Sequence, residues 1–139
     1  MKYILAFLLL LIPSIASAQA PNITSYVLEV FAPGVPTTGT PVLTLSFPST
    51  SAVCNQTAPS VPPNVVNPTQ FWFDDSAVSG KVCIVQILSG SLNPLPNAGG
   101  YTSAVSQTDN LGQQSARSAA SNPFAKQGIP STLTNLKVK

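Results

Sequence analysis

Lys81-Val82-Cys83-Ile84-Val85-Gln86-Ile87-Leu88 is the most β-branched stretch of the chain, and it sets the fold class. β-Branched side chains fit a pleated, half-buried surface better than a helix. Alternation puts Cys83, Val85 and Ile87 on one face, so the stretch reads as a central strand with Cys83 turned into the core beside Val85. Working outward, the same period of two recurs. In residues 42–47 (VLTLSF), Leu43, Leu45 and Phe47 alternate with Thr44 and Ser46, the pattern of a half-buried strand. Residues 25–31 (SYVLEVF) set Tyr26, Leu28 and Val30 against Val27, Glu29 and Phe31. Residues 70–73 (QFWF) form a short apolar strand that ends at Asp74-Asp75, with Phe71 and Phe73 on one face and Trp72 on the other. Residues 101–108 alternate again, ahead of a turn at Asp109-Asn110-Leu111-Gly112. Residues 115–121 fit a strand or a short helix, and 133–138 (LTNLKV) read as a closing strand.

Between these runs, Pro and Gly punctuate the chain at short intervals. The longest interruption, 48–68, contains Pro48, Pro59, Pro62, Pro63 and Pro68 and reads as one extended, polyproline-like loop passing Cys54. Residues 93–100 read as another Pro/Gly loop. Past the N-terminal segment no apolar run recurs at the helical spacing of three and four. Six or seven short strands with frequent turns point to an all-β fold, a single antiparallel β-sandwich, with a small barrel as the rival closure.

Residues 1–18 read as a signal peptide: Lys2, an apolar run over 4–12, then Ala16-Ser17-Ala18 as a cleavage pattern. The run falls short of the roughly 20 residues that span a bilayer, so the expectation is an exported protein, periplasmic or extracellular, without a stable membrane anchor. Residues 19–139 form one domain, long enough for a single core. Cys54 and Cys83, the two cysteines, fit a disulfide in an oxidising compartment. The bridge closes a loop of about 30 residues, worth roughly 3–4 kcal/mol in the chain-entropy account.

The charge inventory is small: 6 Lys+Arg, 4 Asp+Glu and no His. Without His there is no imidazole base, metal ligand or Ser–His–Asp arrangement, so no enzyme is expected, and no metal or cofactor. The scattered basic groups do not make a phosphate-neutralising face, which argues against nucleic acid. Gly99-Gly100 lacks the helix and Lys of a phosphate cradle. Asp74-Asp75 with Asp109 offer carboxylates of the kind that bind Ca²⁺, but adjacent strand residues point to opposite faces, and a turn-opening role fits better. Asn22-Ile23-Thr24 and Asn55-Gln56-Thr57 are glycosylation sequons, no more than composition predicts by chance. Trp72 is an aromatic platform for sugar or peptide only if its face is exposed.

Residues 100–105 (GYTSAV), the turn 109–112, Gln113, Gln114 and the spaced serines Ser115 and Ser118 resemble the F strand, turn and G strand of the fibronectin type III family of immunoglobulin-like sandwiches. Residues 42–48 look like that family's B strand, with Phe47 where a core Trp usually stands. Residues 23–34 resemble either its opening strand or its C–C′ hairpin arm, and 129–138 its opening strand. The resemblance implies that Tyr101 packs inside with its hydroxyl capping main-chain groups, and that Gly112 supplies a positive φ. It also implies a non-catalytic binding or adhesion module for a protein or glycan. The candidate binding loop is Asp109, Asn110, Leu111, Gly112 and Gln113, with 48–68 as a further contact. The alternative is a structural subunit that self-associates through edge strands, with 131–138 as the donated element.

Overall fold

A computed structural model describes residues 22–88 and 90–128. The leader expected at 1–18 and the strand expected at 133–138 lie outside these residues. The β-branched runs become strands β1 (Ile23–Phe31), β2 (Leu43–Pro48), β3 (Ala52–Gln56), β4 (Val65–Val66), β5 (Gln70–Asp74), β6 (Val82–Gln86), β7 (Ala98–Asp109) and β8 (Phe124–Lys126). The one helical turn among the described residues is 3₁₀, Ser49–Ser51. The protein is all-β, as expected from composition.

Two sheets result, ordered β2-β1-β7-β8-β4 and β3-β6-β5. β1 is antiparallel to β2 on one side, with Leu28 opposite Leu45, and to β7 on the other, with Leu28 opposite Val105. Alternation on β1 turns Tyr26, Leu28 and Val30 inward, and all three are buried. Facing them are Phe71 and Phe73 of β5 with Cys83 and Val85 of β6. The Tyr26 and Phe73 rings lie 4.7 Å apart and those of Phe71 and Phe124 5.7 Å apart, edge to face. The two sheets thus share one apolar core, an arrangement compatible with a β-sandwich. β6 is the centre of its sheet, and Cys83, Val85 and Ile87 are buried together, as their alternation required.

Three expectations need correction. Residues 48–68 are not one loop: β3 and β4 lie within them, because local proline density does not prevent pairing at Ala52–Gln56 and Val65–Val66, where proline is absent. Residues 98–100 belong to β7 rather than to a loop. There Gly100, at φ +87, carries the extra residue of a bulge between the Ala98–Lys126 and Tyr101–Phe124 pairs. Residues 115–121 are neither ladder strand nor helix, because serine hydroxyls at every third residue take the β7 N–H groups that a ladder would give to carbonyls.

The Cys54–Cys83 disulfide is formed. It joins β3 to β6 where the register shifts between Val53–Ile84 and Gln56–Val82, so Cys54 and Asn55 together stand opposite Cys83. Asn55 absorbs the bulge with φ +58, a conformation Asn tolerates better than most residues. Its N–H donates to Oδ2 of Asp75 at 2.9 Å, while Ala77 N–H donates to Oδ1 at 2.8 Å. These main-chain donors, Ala77 foremost, hold the Asp75 carboxyl below the usual carboxylate range. Replacing Cys54 and Cys83 together by Ala is expected to lower the unfolding free energy by about 3–4 kcal/mol. Urea titration of the oxidised protein and the double variant measures it, and a loss below about 1 kcal/mol would contradict the loop-closure account.

Candidate functional site

β5 is bonded on one edge only. Thr69 O accepts the Ile87 N–H at 2.8 Å, and the Asp75 N–H donates to Lys81 O at 2.9 Å. Antiparallel pairs alternate between bonded and non-bonded positions, so in the observed register Thr69, Phe71, Phe73 and Asp75 turn their main-chain groups toward β6. Gln70, Trp72 and Asp74 turn theirs the other way. Among the described residues no strand lies on that side of β5.

Across from this edge runs the segment 115–122, bonded to β7 by an unusual device. Ser115, Ser118 and Ser121 donate their N–H groups to the carbonyls of Gln107, Val105 and Ser103, each at 2.8 Å. Their hydroxyls in turn accept the N–H groups of those same three residues at 2.9–3.0 Å. A side-chain oxygen thus stands where a partner strand would present its carbonyl. The hydroxyl protons go to the carbonyls of Ala116, Ala119 and Asn122. Serines recur every third residue while their partners recur every second. One residue therefore bulges at each step and no regular ladder forms.

Arg117, the chain's one Arg, pins this serine strap to the rest of the sheet. Its Nε and Nη2 donate to the two carboxylate oxygens of Glu29, the one Glu, at 2.5 and 2.8 Å. Its Nη1 donates to Thr37 O at 2.7 Å, and the guanidinium lies 5.2 Å from the centre of the Phe31 ring. Ala104, opposite Glu29 in the ladder, is small enough for the Arg side chain to pass over β7.

Between the β5 edge and the strap lies a cleft of about 510 Å³. Phe71 and Phe73 form one wall, Ala116, Ala119 and Ala120 the other, and Ser103, Val105 and Gln107 the floor. The crossing from β4 in one sheet to β5 in the other closes one end, with Val65, Pro68 and Phe124 there. Asp74, Gln107 and Ser115 mark the other end, where the chain on each side turns back within its own sheet. Asp74 is the one charged residue among the described lining residues.

The candidate loop Asp109, Asn110, Leu111, Gly112 and Gln113 connects Gln107 to Ser115 and so stands beside that open end. Asp109 Oδ1 accepts the Leu111 and Gln113 N–H groups, each at 2.8 Å, and Gly112 takes φ +77. Leu111 is left at the tip, 70% exposed. Val61, Val65 and Pro68 of the 48–68 region reach the cleft, whereas Cys54 and Cys83 do not line it. Trp72 is 37% exposed on the outer face, in register with Ile84 and through it with Val53. Asn22 and Asn55 are exposed.

Cys54, Asp75 and Cys83 bring their ligand atoms within 4.8 Å of one another, but both sulfurs are bonded in the disulfide and both Asp75 oxygens accept main-chain N–H groups. That cluster suits no metal. The cleft offers peptide groups, small side chains and aromatic rings, which suit an extended polypeptide. The strap's role was missed in the sequence, although the serine period of three was its signal. No protein-family model, curated protein or solved structure matches the chain.

Arg117→Ala is expected to lower the thermal midpoint by leaving the buried Glu29 carboxylate without its partner. Adding Glu29→Gln to Arg117→Ala should recover part of that loss, because the uncompensated charge is gone. Calorimetry of the two variants checks this, and a double variant no more stable than Arg117→Ala alone would contradict it.

Proposed function

We propose that residues 19–139 are an exported, non-catalytic binding module of the fibronectin type III-like, immunoglobulin-like class. Tyr101 supports the class: it is buried at the start of the long strand β7, and its hydroxyl donates to Pro96 O at 2.9 Å, five residues upstream. That geometry resembles the tyrosine corner of immunoglobulin-like sandwiches. With β7 in the place of strand F, β1, β2 and the strap take the places of C, C′ and G. Residues 42–48 then match C′ rather than B, since they pair in the sheet that contains β7. The facing sheet, β3-β6-β5, departs from the usual strand order of the class. Export is supported by the leader pattern at 1–18 and by the disulfide. Among the described residues no helix is long and apolar enough to cross a membrane.

The observation that carries the binding reading is the outward-turned main chain of Gln70, Trp72 and Asp74 above an apolar cleft. An extended partner segment would bond to that edge as an added strand, its main chain supplying affinity and its alternate side chains specificity. The Asp109–Gln113 turn stands where such a segment projects from the open end. The same edge favours a second reading, a structural subunit that assembles by strand pairing.

Display of random octapeptides against oxidised 19–139, with Trp72→Pro as the control, tests the binding reading. Proline removes one outward N–H and no bond to β6. Enriched peptides should alternate apolar and polar residues and bind Trp72→Pro at least tenfold more weakly. No enrichment, or binding indifferent to the proline, would overturn the reading.

A further inference from the structure

Resting on the cleft as a strand receiver, we propose that the strand it receives is residues 131–138 of a second copy of this chain, laid antiparallel on β5 from the cleft's open end. The edge asks for a segment of at least five residues with unhindered N–H groups. Residues 131–138 (STLTNLKV) follow Pro130 and contain no proline. Fully extended they span about 26 Å, against about 17 Å for the five residues of β5. Alternation groups Thr132, Thr134, Leu136 and Val138, β-branched and apolar side chains of the kind that pack against Phe71 and Phe73.

The place where the described chain ends selects the second copy over the same one. Asn67, in the β4–β5 crossing that closes the cleft, donates its Nδ2 to Gln127 O at 3.0 Å and accepts the Gln127 N–H at Oδ1 at 3.0 Å. Gly128 then lies against Asn97, where an added Cβ would stand 2.9 Å from Nδ2. The chain is thus held on the crossing itself, at the closed end. The chain's own tail would have to spend part of 129–138 in reversing direction and rounding the crossing, and entry from that closed end would lay it parallel to β5. A second copy meets no such obstacle at the open end, and entry there gives the antiparallel direction. Charge does not oppose the approach: the chain without its leader has 5 basic and 4 acidic groups, and among the described lining residues the cleft holds one charge, Asp74.

Donor and acceptor lie at different places on the molecule, so the contact is head-to-tail and adds one subunit per joint, in open chains or, where the rotation closes, in rings. Oxidised 19–139 should therefore grow in steps of one subunit as concentration rises. Trp72→Pro disables the acceptor edge, and Leu136→Asp with Val138→Asp disables the donor. By light scattering each variant alone should be monomeric, and their equimolar mixture should give a dimer and nothing larger, because only one joint can form. If Trp72→Pro lacks the wild-type far-UV spectrum, Gln70→Pro makes the same test at a neighbouring outward N–H. A wild-type chain that stays monomeric at millimolar concentration, or variants that assemble as it does, would overturn the proposal. A monomer in which the tail substitutions alter the emission of Trp72, the one Trp, would assign the tail to its own cleft and also overturn it. If octapeptides still bind the edge in either case, the strand-receiving cleft stands and only its occupant is wrong; if they do not, both fall.

Discussion

The structure depends on one requirement: peptide groups removed from water must find hydrogen-bond partners. With 10 charged side chains in 139 residues, few ion pairs contribute, and main-chain bonding with apolar burial does most of the holding. β7 meets the requirement on both edges. β1 bonds it along one side, while β8 and three serine side chains serve the other. β5 meets it on one edge only. The difference between these two strands creates the cleft, since the strap seals one sheet where the other stays unsealed.

Two local devices hold the walls. On the five-stranded sheet, Arg117 crosses β7 to Glu29 and takes the carbonyls of the 37–39 turn, so the strap is anchored by charge as well as by serines. On the three-stranded sheet, the disulfide and the Asp75 carboxylate fix the β3 bulge to the β5–β6 hairpin. Burial, and then the Asp75 charge, push the Tyr26 hydroxyl above its ordinary pKa, so it stays protonated beneath that hairpin. Each device stiffens one wall of the cleft within its own sheet, and stiff walls lower the ordering cost of receiving an added strand.

Much of this was legible in the residues. Period-two alternation located β1, β2, β5, β6 and β7 and turned Cys83 into the core; it separated Phe71 and Phe73 from Trp72, and which of the two faces is buried came from the structure. Asp109 and Gly112 marked their turn correctly. β3 was hidden because five prolines between 48 and 68 masked the proline-free stretch 49–58, where the pairing of Ala52–Gln56 needs a Cys54–Asn55 bulge. The bonding of the strap escaped, although its spaced serines Ser115 and Ser118 carried the likeness to a G strand, because a period of three belongs to neither helix nor ladder strand. The cleft had no local signal: an unpaired edge depends on which strands meet, a property of the whole topology. The Glu29–Arg117 pair had one, since a chain with one Glu and one Arg leaves each few partners to choose from.

Amide hydrogen exchange along β5 tests the central claim most directly. In dilute oxidised protein the account predicts alternation: Phe71 and Phe73 protected by β6, Gln70, Trp72 and Asp74 exchanging within seconds to minutes at neutral pH and slowing as concentration rises. Uniform protection of all five amides in a dilute monomer would mean that the edge is already paired, and would contradict the account.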